Sequence, residues 1–231
     1  MQQANLEPDI QPLRVLLTGS CSGGKTCTLE LIEANKDFYT DNIYSTIHDL
    51  TRIKPKPILM HMVHEIARQL KHKVDAATQQ NELTQMILEG RIQQYDETYT
   101  IARTHPQTQH IHLFDRGIIT CAAYSKYFAD SNYQDILSIA AQRPYDLIFY
   151  FPFWEDIYKQ DSGRQETPRL AANLSQSILE VLDVLEFPYI TVPFFENEDK
   201  DTSMMLRRDF IINHIIDALR QDEFLANART Y

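Results

Sequence analysis

Short, mostly apolar runs alternate with longer stretches in which apolar residues recur every three or four positions. The runs at residues 14–18, 58–63, 110–114, 146–151 and 188–192 predict buried strands. The helical spacing predicts helices over 26–34, 64–70, 81–102, 118–129, 133–141, 170–186 and 203–220. Strand and helix in turn predict an α/β fold, a mainly parallel five-stranded sheet with helices on both faces in three layers. No linker, repeat or low-complexity tract interrupts the pattern, so residues 13–231 read as one domain behind a loose polar tail, 1–12. Residues 35–57 break the rhythm: they are polar, turn-forming at Asp41 and Asn42, and closed by Pro55 and Pro57. That is long for a connection and reads as an insertion with a little helix around 43–50.

In the 81–102 helix, Leu83, Ile87, Tyr95 and Tyr99 share one stripe, with Arg91 in its middle. An arginine there either snorkels to solvent or meets an anion. Composition narrows the classes. At 231 residues the chain suits one sizeable domain, and its net charge of −10 argues against a nucleic-acid surface. No run approaches a membrane span, and the tail lacks a basic-then-apolar signal. The three cysteines, Cys21, Cys27 and Cys121, form no CxxC pair, which fits reduced thiols in a cytoplasmic protein.

The chemistry centres on Gly19-Ser20-Cys21-Ser22-Gly23-Gly24-Lys25-Thr26, which satisfies G-x-x-x-x-G-K-[ST]. A predicted strand precedes it and a predicted helix follows, as a phosphate-cradling loop requires. Gly19, Gly23 and Gly24 let the backbone turn its N–H groups inward, and the helix start adds its positive dipole end. Lys25 reaches the β- and γ-phosphates in such loops, and the Thr26 hydroxyl ligates Mg²⁺. Asp115, ending an apolar strand downstream, fits the second carboxylate that organises the metal. Glu65 falls where a strand's carboxyl end meets a helix, the ligand edge of an open α/β sheet. It could orient or deprotonate an acceptor hydroxyl, or answer the helix dipole. Arg116 could face phosphate or pair with Glu65. After the 146–151 strand, the charged, aromatic stretch 153–169 reads as a lid carrying Arg164, placed to stabilise a transferring phosphoryl group. His48, His61, His64 and His72 show no metal constellation and read as solvated or core residues.

Several stretches line up with one family. The chain resembles bacterial ATP-binding proteins labelled AAA-type ATPases but built like small P-loop kinases, and more distantly nicotinamide riboside and deoxynucleoside kinases. The resemblance rests on the phosphate loop; on His64-Glu65-Ile66-Ala67-Arg68, where the family usually has Pro-Glu-Ala-Ala-Arg; on Phe114-Asp115-Arg116-Gly117; and on Pro152-Phe153-Trp154-Glu155-Asp156-Ile157-Tyr158 through Asp161 and Arg164. It implies that Glu65 and Arg68 line the acceptor side, with Arg91 on the helix that covers it. It also implies a metal-organising Asp115, a lid Arg164, and an Arg207 that contacts adenine or phosphate. His64 in place of proline, the longer 35–57 segment, and Met205-Leu206 in place of an acidic pair depart from the family pattern.

The expectation is therefore an ATP- and Mg²⁺-dependent phosphotransferase for a small, nucleoside-like acceptor. The alternative is a nucleotide-dependent switch that hydrolyses slowly. A GTPase ranks last, because no N-K-x-D motif occurs: Asn197-Glu198-Asp199-Lys200 has the wrong order. Neither a membrane nor a nucleic-acid partner is expected, and oligomeric state is not legible.

Overall fold

A computed structural model describes residues 11–19, 21, 23–71, 80–155, 167–195 and 199–228. Five strands carry the architecture: β1 (Leu13–Gly19), β2 (Ile58–Val63), β3 (Gln109–Asp115), β4 (Leu147–Phe151) and β5 (Ile190–Thr191). They form a single sheet in the order β2-β3-β1-β4-β5, and every pairing is parallel. The interior strands β1, β3 and β4 are buried almost end to end, which is why they read as mostly apolar runs without polar alternation. β5 is shorter than its apolar run. It lies at an edge of the sheet, paired with β4, and beyond it the Val192 amide continues the ladder, donating to the Tyr150 carbonyl.

Eight helices are described: α1 (Lys25–Ala34), α2 (Lys36–Thr51), α3 (Ile66–Lys71), α4 (Gln80–Thr104), α5 (Ile118–Tyr127), α6 (Tyr133–Ala141), α7 (Pro168–Val184) and α8 (Lys200–Ala228). Alternation of side chains along the strands feeds two cores. On one face Val15, Leu17, Ile111, Leu113 and Phe149 meet Leu29 and Ile32 of α1, Ile43 and Ile47 of α2, and Ile211 and Ile215 of α8. On the other, Leu16, Phe114, Ile148 and Tyr150 meet α4, α5, α6 and α7 through Tyr95, Ile119, Ile136 and Ile178.

Residues 35–57 differ from the expectation of a little helix near 43–50. They hold the 16-residue α2, which starts directly after Asn35 ends α1. Its apolar contacts are spaced four apart, Tyr39, Ile43 and Ile47, and polar residues dilute that stripe elsewhere. The ring of Tyr39 lies under Arg208 of α8, so the segment belongs to the core layer rather than standing outside it.

One cluster of histidines also departs from the sequence reading. In the β2–β3 register His61 lies opposite His112, and His110 is two residues away on the same face. His61 and His112 stack with ring centroids 4.5 Å apart. Burial, then the neighbouring His61 and His110 rings, holds His112 down at about 3, and burial lowers His61 and His110 as well. His64, by contrast, turns to Glu33 at 3.1 Å.

Candidate active site

The parallel sheet brings the carboxyl ends of β1, β2 and β3 side by side, and the functional side chains sit on the turns that leave them. β1 ends at Gly19, whose φ of 118° is open to glycine; a Cβ there would also collide with the Phe151 carbonyl of β4. The loop closes at Gly24, in the left-handed region at φ 83°, which caps α1. Ser20 and Ser22 lie outside the described residues, as does Arg164 with most of the expected lid.

Lys25 opens α1 and is almost fully buried, its Nζ donating to the Gly19 carbonyl at 3.3 Å. Burial, followed by the nearby Arg116 charge, pulls its ammonium down to about 8 against the opposing pull of Asp115, Cys21 and Glu65. Thr26 donates its hydroxyl to Asp115 Oδ2 at 2.6 Å, joining the start of α1 to the end of β3. The other oxygen, Oδ1, is buried without a hydrogen-bond partner among the described residues. A carboxylate oxygen left bare in the interior is costly, and a hard oxygen-seeking cation beside the Thr26 hydroxyl would satisfy it. The residues present thus fit a Mg²⁺ site formed by Thr26 and Asp115.

Glu65 occupies the short turn between β2 and α3, and three arginines from three different elements face it. Its Oε1 lies 3.0 Å from Arg116 Nε and 3.6 Å from Arg91, and its Oε2 lies 3.8 Å from Arg68 Nε. Burial alone would raise this carboxyl. The charges of Arg116 and Arg91, helped by Lys25 and Arg68, reverse the effect and hold it below the usual carboxylate range. Glu65 is therefore an anion around neutral pH, and a weak base.

Arg116 follows Asp115 with φ 72°, a strained conformation for a non-glycine residue. It pairs with Glu65 on one side and donates to Cys21 Sγ at 3.3 Å on the other, so one guanidinium bridges Glu65 and the glycine loop. Arg91 does not snorkel. It is buried, donating to the Gly117 carbonyl and to Cys121 Sγ, each at 3.1 Å.

Arg207 of α8 is buried 4.6 Å over the Trp154 ring and donates to the Phe194 carbonyl at 3.0 Å. Its Nε is buried without a hydrogen-bond partner among the described residues, and a Cβ on Gly24 would lie 2.9 Å from its Nη1. Arg207 thus leans on the start of α1. The Trp154 support beneath it was not read from sequence as a site residue, nor was the Tyr124 hydroxyl 3.8 Å from Cys21 Sγ. An aromatic after a strand and a tyrosine inside a predicted helix carry no local mark of such a role.

A family model described as an AAA domain matches residues 14–200. The chain belongs to that family. No curated protein matches it. Among solved structures it is similar to thymidylate kinase from Ehrlichia chaffeensis, with a TM-score of 0.56 and 11% identity, over 88% of this chain and 98% of that one. It is likewise similar to deoxyadenosine kinase from M. mycoides, with a TM-score of 0.53 and 11% identity, over 88% and 98%. NadR in complex with NR gives a TM-score of 0.54 at 16% identity; the match covers 91% of this chain and half, 50%, of NadR. At such identities the likeness establishes the fold, a kinase-like P-loop α/β fold. Among the described residues no helix is long and apolar enough to cross a membrane.

Proposed function

We propose that this protein transfers the γ-phosphoryl group of ATP, with Mg²⁺, to a small, nucleoside-like acceptor. The observation that carries this reading is the pair of linked carboxylates. Asp115 is hydrogen-bonded to Thr26 at the phosphate loop, and Glu65, on the turn after β2, is paired with Asp115's neighbour Arg116. One carboxylate serves the donor and the other the acceptor.

In this account Lys25, Arg116 and the loop amides hold the β- and γ-phosphates, whose negative charge restores the lysine's proton affinity. Thr26 and Asp115 hold the metal; bound Mg²⁺ would neutralise charge on the phosphate oxygens. Glu65 accepts a hydrogen bond from the acceptor hydroxyl and orients it in line, and its lowered proton affinity favours orientation over proton abstraction. Arg68 and Arg91 fix Glu65 and line the acceptor side. Arg207 steadies the loop's exit or meets the nucleotide, and Arg164 is assigned to the transferred group by resemblance. Arrangement and charge carry such a reaction, with little covalent work left for the protein.

The reading is tested by incubating the protein with γ-labelled ATP, Mg²⁺ and a small-metabolite extract, alongside Lys25→Ala. Label on an organic metabolite with the unmutated protein alone supports it. Label released only as inorganic phosphate refutes it in favour of the hydrolytic switch.

A further inference from the structure

We propose that His61, His110 and His112 form a transition-metal site of the zinc class, separate from the oxygen-lined Thr26–Asp115 pair. The three come from two adjacent strands, with His110 and His112 two apart on one face of β3 and His61 opposite them on β2. Each offers a ring nitrogen, and these atoms all lie within 4.8 Å of one another. Two nitrogens bound tetrahedrally at zinc distances stand about 3.3 Å apart. His61 Nε2 and His110 Nδ1 are already 3.0 Å apart, and small turns of the imidazoles, whose outer torsions are broad, would draw the third in.

Two details point to a ligand. His112 Nε2 is buried without a hydrogen-bond partner among the described residues, in a side chain only 1% exposed. His110 Nε2 lies 3.3 Å from the His105 carbonyl, which can only accept, so that nitrogen carries the proton and leaves the Nδ1 lone pair facing His61. A ring nitrogen that donates to a backbone carbonyl while the other nitrogen keeps its lone pair is the usual outer support of a metal-bound histidine. On binding, the proton that His61 Nε2 shares with His110 Nδ1 would move to His61 Nδ1, so no proton need leave the rings.

Three imidazoles suit zinc, copper or nickel rather than Mg²⁺. The site has an entry, because β2 is the sheet edge and Leu59, opposite His110, is exposed. Arg14 lies opposite His112 on β1 and opposes a cation. Its guanidinium is stacked 3.9 Å over Tyr99 and 4.7 Å over Tyr95, and its Nε donates to Thr98, so ring faces and a hydroxyl absorb part of that charge. His112 precedes Asp115 by three residues, roughly 10 Å along the strand, so the two sites occupy different stretches of β3. Occupied, the site would staple edge strand β2 to β3, four residues upstream of Glu65.

The test is Zn²⁺ titration of the chelator-stripped full chain by calorimetry in excess Mg²⁺, with Co²⁺ absorption as a second readout. The proposal expects one Zn²⁺ per chain, tetrahedral Co²⁺ bands and a raised Tm. Lys25→Ala should bind Zn²⁺ unchanged. His112→Phe and His61→Gln should each lose more than the about 10- to 100-fold in affinity that an outer-shell change costs. His61 is only half-buried, so His61→Gln remains decisive if His112→Phe fails to fold. Absence of stoichiometric Zn²⁺ binding would overturn the site, leaving a metal-free histidine stack beside Arg14. Full affinity in His61→Gln would overturn it equally.

Discussion

At the scale of single residues, the site is governed by charges held where water is scarce. Glu65 is the counter-ion for Arg116 and Arg91, all three side chains being largely buried. Glu65→Gln leaves two guanidiniums without a full negative partner, and breaking such a pair from one side is costly. The expected loss is about 3 kcal/mol in urea unfolding at neutral pH. The pH dependence follows from the direction of its shift. The folded carboxyl titrates below its ordinary 4.5, so its stabilisation is fully present above that value and is lost as pH falls through the lowered one. The gap in unfolding free energy between the unmutated protein and Glu65→Gln should therefore stay constant from neutral pH to 4.5 and shrink below it. A gap that widens on acidification would mean the carboxyl is not held down by the arginines.

At the scale of elements, α2 shows how packing overrides a weak pattern. Ile43 is fully buried while Phe38, on the same helix, is 65% exposed. Ile43→Ala should cost about 2–5 kcal/mol in chemical denaturation, whereas Phe38→Ala should stay within about 0.5 kcal/mol. Equal losses would mean α2 does not pack as described. The interior strands, the long helices and the phosphate loop were legible because each has a local cause. β1, β3 and β4 are buried on both faces and so are mostly apolar, and Gly19 and Gly24 hold backbone angles that favour glycine. What was not legible depends on neighbours distant in sequence. The choice between snorkelling and anion contact for Arg91 is made by Glu65, 26 positions away across the β2–β3 edge. The histidine cluster was missed for a similar reason: His110 and His112 acquire His61 only through strand register. α2 was underestimated because its stripe is apolar at only a few positions, and those gain their meaning from α8.

At the scale of the whole molecule, the surroundings of the glycine loop are assembled from both halves of the chain. Arg207 near the C-terminal end rests on Trp154 after β4 and lies against Gly24 at the start of α1. Trp154→Ala should remove a contact worth about 0.5–2 kcal/mol and weaken ATP binding in calorimetry; unchanged ATP affinity would leave Arg207 a structural residue only. The central claim is that donor and acceptor are served by different carboxylates. It is tested most directly by Glu65→Gln, with phosphoryl transfer from labelled ATP and Mg²⁺–ATP affinity measured on the same folded preparation. The account predicts that transfer is lost while ATP affinity is kept. Transfer that survives Glu65→Gln, or transfer and ATP binding lost together in a protein still folded by circular dichroism, would contradict it.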